Sequence, residues 1–237
     1  MQNQDPLELL INTNGFTPAA IRKIVAGSKY CAVVLQDGSL GVCATLGNLV
    51  ENEPQLLSDP DLGKNSHRIV INAYFNARLN PKADCLHNKD ILEIADFRAY
   101  QSPVMIGLFK PVVKRLKEID VRLAIFDPRH DPEENEGLLP DHLQGESLRQ
   151  ADAVILSATT IFNRSFSQVI AETKDSCDIF ILGPSTPLAT ELFCHPNVRA
   201  LFGTVFKPDD QRVLDVIKAG KGTRSFIKFA SKAVLEK

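Results

Sequence analysis

Apolar residues in this chain fall in short blocks whose character changes near residue 100. Tyr30 to Gln36 (YCAVVLQ) and Ser39 to Leu46 (SLGVCATL) are strand-like runs flanking Asp37-Gly38, a dipeptide suited to a tight hairpin turn. An antiparallel pair is predicted. The preceding TPAAIRKIVAG is compatible with a helix, opened by Thr17 and Pro18 and closed by Gly27, and equally with the alternation Ile21, Lys23, Val25 of a strand. Val70, Ala73, Tyr74 and Ala77 form the i, i+3, i+4, i+7 stripe of a helix that Asn80-Pro81 ends. Residues 1–95 are therefore expected to form a small α+β domain, a strand meander with helices on one face.

From Pro103 onward strand and helix alternate, the pattern of a parallel sheet with crossover helices, so residues 96–237 are expected to form a second, α/β domain. The predicted strands are Val104 to Leu108, Arg122 to Asp127, Ala153 to Ser157, Asp178 to Leu182 and Arg199 to Phe206. Helices are predicted over Pro111 to Glu118, Phe162 to Thr173, Pro187 to Cys194 and Asp209 to Ala219, and Phe226, Phe229, Ala230 and Ala233 predict a final amphipathic helix. The strands are short and continuously apolar, as expected when both faces are covered.

Ligands of open parallel sheets bind outside the carboxyl ends of the strands, where strand order reverses. The loops expected there contain Gly107-Leu108-Phe109-Lys110-Pro111, Asp127-Pro128, Ser157-Ala158-Thr159-Thr160, Gly183-Pro184-Ser185-Thr186-Pro187 and Gly203-Thr204. Gly107, a helix start and Asp127 20 residues later have the spacing of a reduced dinucleotide turn, although the full GxGxxG is missing. Thr160 and Thr186 stand where helix N-caps belong, whereas Thr159 and Ser185 are not needed for capping and could bind an oxyanion.

Composition narrows the partners. A formal charge of -2 with no dense basic stripe argues against nucleic acid, and no apolar run approaches a membrane span. With no leader-like amino terminus and five scattered cysteines suited to reduced thiols, a cytoplasmic location is expected. Cys85 with His87, and Cys194 with His195, are possible metal pairs, but no spacing completes a site. Asp131, Glu133, Glu134 and Glu136 form an acidic loop at the expected ligand edge, and no nucleophile motif or cofactor is indicated.

The segments DAVILSATTIFN (152–163), ILGPSTPL (181–188) and VMIGLFKP (104–111), together with Asp37-Gly38 to Leu46 and Ile71-Asn72-Ala73, resemble the family labelled putative heavy-metal chelation. The resemblance covers most of the chain. It implies an amino-terminal domain like that of enolase, with Ile21 to Ala26 a strand, joined to a Rossmann-like domain across a ligand cleft. It also implies a cleft lined by Gly107, Phe109, Thr159, Thr160, Asn163, Gly183, Ser185 and Thr186, with Thr45 and Asn72 facing it. Ile161-Phe162 replaces a glycine common in that family, and Cys43 an aromatic residue.

The expected function is binding of a small, anionic or heteroaromatic metal chelator in the interdomain cleft, linked to its synthesis, handling or sensing. The alternatives are a nucleotide- or S-adenosylmethionine-dependent transferase using Gly107 and Asp127, and a noncatalytic sensor or scaffold. The sequence decides neither catalysis nor oligomeric state.

Overall fold

The computed structural model describes residues 4–130 and 137–237, so the acidic run at 131–136 lies outside the described residues. Asp5 caps the first helix, α1 (Pro6–Asn14), by accepting from the amides of Leu7 and Glu8. A three-stranded antiparallel sheet follows, from β1 (Ile21–Ala26), β2 (Tyr30–Leu35) and β3 (Leu40–Ala44), in the order β1-β2-β3. The ambiguous stretch is thus a single 3-10 turn, Pro18–Ala20, leading into a strand. Gly38 adopts φ 85° at the β2–β3 turn, where a Cβ would be strained. The helix α2 (Asn65–Leu79) packs across β2 and β3.

The larger sheet contains β4 (Leu86–His87), β5 (Pro103–Ile106), β6 (Ala124–Phe126), β7 (Ala153–Ser157), β8 (Asp178–Leu182), β9 (Val198–Phe206) and β10 (Ala230–Glu236). Its order is β4-β10-β9-β8-β7-β5-β6, parallel from β9 to β6, with β10 and β4 antiparallel at one edge. The connecting helices are α3 (Ile91–Ile94), α4 (Lys110–Glu118), α5 (Gln144–Gln150), α6 (Thr159–Phe162), α7 (Phe166–Glu172), α8 (Gln211–Lys218) and α9 (Thr223–Phe226). Among the described residues no helix is long and apolar enough to cross a membrane.

Two expectations are corrected. The final amphipathic helix is instead the single turn α9, a 3-10 turn and β10; the 230–236 segment gains a full ladder with β9, and this tertiary pairing outweighs a four-residue helical stripe. Residues Pro187 to Cys194 supply only a short 3-10 helix, Thr190–Cys194.

One polar stripe along α2 and its C-cap residue, Asn80, joins the small sheet to the large one. Arg68, Asn72, Asn76 and Asn80 recur every fourth residue, so they share one helix face, and all four are buried. Arg68 donates to the carbonyls of Ile161 and Phe162 and to Asp5. Asn72 donates to Ser185 O at 2.8 Å, and Asn76 to Val42 O at 2.7 Å and Pro184 O at 3.4 Å. Asn80 donates to the carbonyls of Thr186 and Thr204 and accepts from Leu188 N. Replacing Asn80 by Ala would strand two buried carbonyls and an amide, so urea unfolding of Asn80→Ala is expected to show a loss of about 3 kcal/mol.

Candidate functional site

The chain runs from β5 outward to β6, then crosses back over β5 to β7, so strand order reverses between β5 and β7. A cavity of about 640 Å³ opens there at the carboxyl ends of the strands. Its floor contains Gly107 and Phe109 after β5, Ser157 and Thr159 at β7, Gly183 and Ser185 after β8, and Phe202 to Thr204 on β9. Tyr30 and Ala44 of the small sheet and Thr223, Arg224 and Ile227 of the carboxyl-terminal segment also line it.

The expected ligand residues divide into two groups. Gly107, Phe109, Thr159, Gly183 and Ser185 line the cavity. Asp127, Thr160, Asn163, Thr186, Thr45 and Asn72 do not, and each is engaged elsewhere. The hydroxyls of Thr160 and Thr186 are not helix caps; they donate to the carbonyls of Ser157 and Gly183, both at 2.7 Å, closing the loops internally. Thr45 donates to Ser28 O, while exposed Asn163 accepts from Ser165. Asn72 supports the floor from behind, through Ser185 O.

Asp127 departs most from its expected role. Buried beneath the cavity, it accepts from Leu108 N at 2.8 Å and from both Nε and Nη2 of Arg129, leaving no edge for a ribose. Burial pushes its pKa up, but the Arg129 guanidinium and the Leu108 amide outweigh that and hold it at about 2. The carboxylate thereby fixes Arg129 on the cavity wall.

Backbone donors at the floor are largely consumed. Gly107 N bonds to Phe126 O, Gly183 N to Phe202 O, and Ala158 N to Leu182 O. With Leu108 N committed to Asp127, the first two amides of the turn after β5 are paired within the chain and not turned toward a pyrophosphate. Side chains carry the charge instead. Among the described residues, Lys89, Lys110, Arg115, Arg129, Arg224 and Lys232 line the cavity with Asp90; Arg115 pairs with Asp90, Arg129 with Asp127 and Lys89 with Glu93. Between them lies an apolar surface of Ile91, Leu92, Leu108, Phe109, Leu182, Phe202 and Ile227.

Sequence reasoning missed Arg129, Tyr30 and the cations of the 223–232 segment. Arg129 follows Asp127 by two residues, a spacing that allows a guanidinium to fold back on a carboxylate, and it was the available signal. Tyr30, whose hydroxyl lies 2.7 Å from that of Thr223, and Lys232 reach the cavity only through tertiary pairing.

A family described as putative heavy-metal chelation matches residues 90–236, and a second family of the same description matches residues 8–107. The chain belongs to the putative heavy-metal chelation family. An uncharacterized protein of Methanocaldococcus jannaschii is 27% identical over 179 residues, 74% of this chain and 61% of that protein, so the chain spans less than two thirds of this relative. A family protein of unknown function from Pyrococcus horikoshii has a TM-score of 0.75 at 23% identity, with 98% of this chain and 96% of that chain covered. Another, from Desulfitobacterium hafniense DCB-2, has a TM-score of 0.76 at 16% identity, covering 98% and 97%. These two likenesses concern the fold.

The family description implies a metal, and the side chains of the described residues do not fit one held by the chain itself. Among them no three His, Cys, Asp or Glu side chains form a metal-binding group. Cys85 Sγ and His87 Nε2 stand 4.0 Å apart as a bare pair, while Cys194 is exposed beside a buried His195. Cys31 and Cys43 face each other across β2 and β3, and burial raises both thiols, that of Cys43 to about 12, which opposes the thiolate a metal needs.

Asp127 also predicts an acid-side stability loss. Its pKa is lowered on folding, so its contribution is present above about pH 4 and lost as pH falls toward 2. Urea titrations at pH 5 and pH 2 are expected to show Asp127→Asn losing about 2 kcal/mol less than the wild type over that interval.

Proposed function

We propose that this protein binds a small organic anion with an apolar body in the cavity at the carboxyl edge of the large sheet. The observation that carries the reading is the composition of the wall among the described residues, six cationic side chains, including the ion-paired Lys89, Arg115 and Arg129, around an apolar floor, at the point where strand order reverses. Cations alone would suit any anion; apolar surface alone would suit any lipid-like molecule. Their combination favours carboxylates or sulfonates on a hydrophobic framework.

This reading also gives the family description a physical sense. Carboxylates arranged on a small organic framework chelate metals, so the chain would handle the chelator and leave coordination to it. Recognition by side chains would then rest most on Arg129, whose guanidinium is oriented by Asp127. The paired amides of Gly107 and Leu108 and the engaged Asp127 weigh against a transferase that grips a nucleotide through Gly107 and Asp127.

The test uses 8-anilino-1-naphthalenesulfonate, an anion with an apolar body, titrated by fluorescence and by thermal unfolding. Arg129→Gln is expected to weaken binding about tenfold, roughly 1.4 kcal/mol, and Arg129→Gln with Lys232→Gln more, with the difference shrinking in high salt. Equal affinity in wild type and the double variant contradicts the reading.

A further inference from the structure

Phe109 occupies an unusual position at the floor of this cavity. Gly107 and Gly183 end strands that flank β7, with φ of 90° and 130°, so neither position readily accepts a side chain. The Phe109 ring fills the space between them: a Cβ at Gly107 would lie 3.9 Å from its Cε2, and one at Gly183 would lie 3.8 Å from its Cε1. The crevice that strand order creates is therefore covered by a ring on its own βα turn.

We propose that Phe109 is the specificity-determining residue of the cavity, excluding ligands whose phosphates must lie along the floor and admitting organic anions whose charged group stays with the cations of the wall. This inference rests on the organic-anion reading above. Two observations support it independently of the ring's position. The amides of Gly107, Leu108 and Gly183 are already paired, so a diphosphate entering the crevice gains none of these three donors in return for its lost hydration. The remaining cations, Arg129, Arg224 and Lys232 among them, are exposed side chains that can meet a carboxylate or sulfonate above the ring.

The experiment is competition of ADP against bound 8-anilino-1-naphthalenesulfonate, with the full chain as wild type, Phe109→Ala and Phe109→Leu. Affinity for the fluorophore is measured separately for each form. ADP is expected to displace it from Phe109→Ala at a concentration at least tenfold lower, corrected for fluorophore affinity, than from the wild type. Phe109→Leu, which keeps most of the plug, is expected to resemble the wild type and so to separate filled space from general loosening of the fold. ADP competing equally against wild type and Phe109→Ala overturns the proposal, as does ADP competing against neither. Fluorophore binding that depends on Arg129 while ADP ignores residue 109 overturns this inference alone; fluorophore binding indifferent to Arg129 overturns the reading beneath it.

Discussion

The architecture depends on a buried polar stripe along one helix. Arg68, Asn72 and Asn76 lie on α2 and Asn80 caps its end, all with almost no exposure; each donates to at least one carbonyl of the large-sheet half of the chain, Asn76 also to Val42 O of β3 and Arg68 also to Asp5. A polar side chain buried without partners is costly, so the helix is stable in this position only with the 161–162 and 184–186 carbonyls in register. Ser185 reinforces the arrangement by accepting from Ala44 N at 2.9 Å, tying the end of β3 to the same loop. The stripe is not free of cost, since Asn72 Oδ1 and Asn76 Oδ1 are buried without a partner among the described residues. Directional bonds of this kind specify one docking geometry where apolar packing alone would tolerate several.

The cavity inherits its character from that constraint. Loops held from behind by Arg68 and the asparagines and closed by Thr160 and Thr186 have the amides of Gly107, Leu108, Ala158 and Gly183 paired within the chain. In the proposed reading, recognition passes to side chains at the rim, above all to an arginine oriented by a buried carboxylate. Phe109 completes the floor at the position where many parallel-sheet folds receive phosphate. The same topology thus provides a crevice, and local chemistry decides what enters it.

Much of the fold was legible in the sequence because local rules and tertiary demands agree there. Asp37-Gly38 turns the hairpin that its conformational preferences predict, and each short apolar block from Val104 to Phe206 is a parallel strand. The place of the cavity followed from topology, and five expected residues lie on its wall. Hydroxyl side chains were harder to place, since a threonine after a strand can cap a helix, face a ligand or close its own loop, and Thr160 and Thr186 do the last. The helical spacing of Arg68, Asn72, Asn76 and Asn80 is visible in the sequence, but its partners lie as far as 124 residues away. For β10, a stripe that satisfied helix periodicity belonged to a segment whose partner strand is specified only in three dimensions.

The most direct test of the cavity as an organic-anion site is amide hydrogen exchange of the full chain with and without saturating 8-anilino-1-naphthalenesulfonate. The account predicts slowed exchange concentrated in residues 107–112, 183–186 and 223–233, the segments that converge on the cavity. Binding with protection confined to other segments, or with no protection of these three, would contradict it.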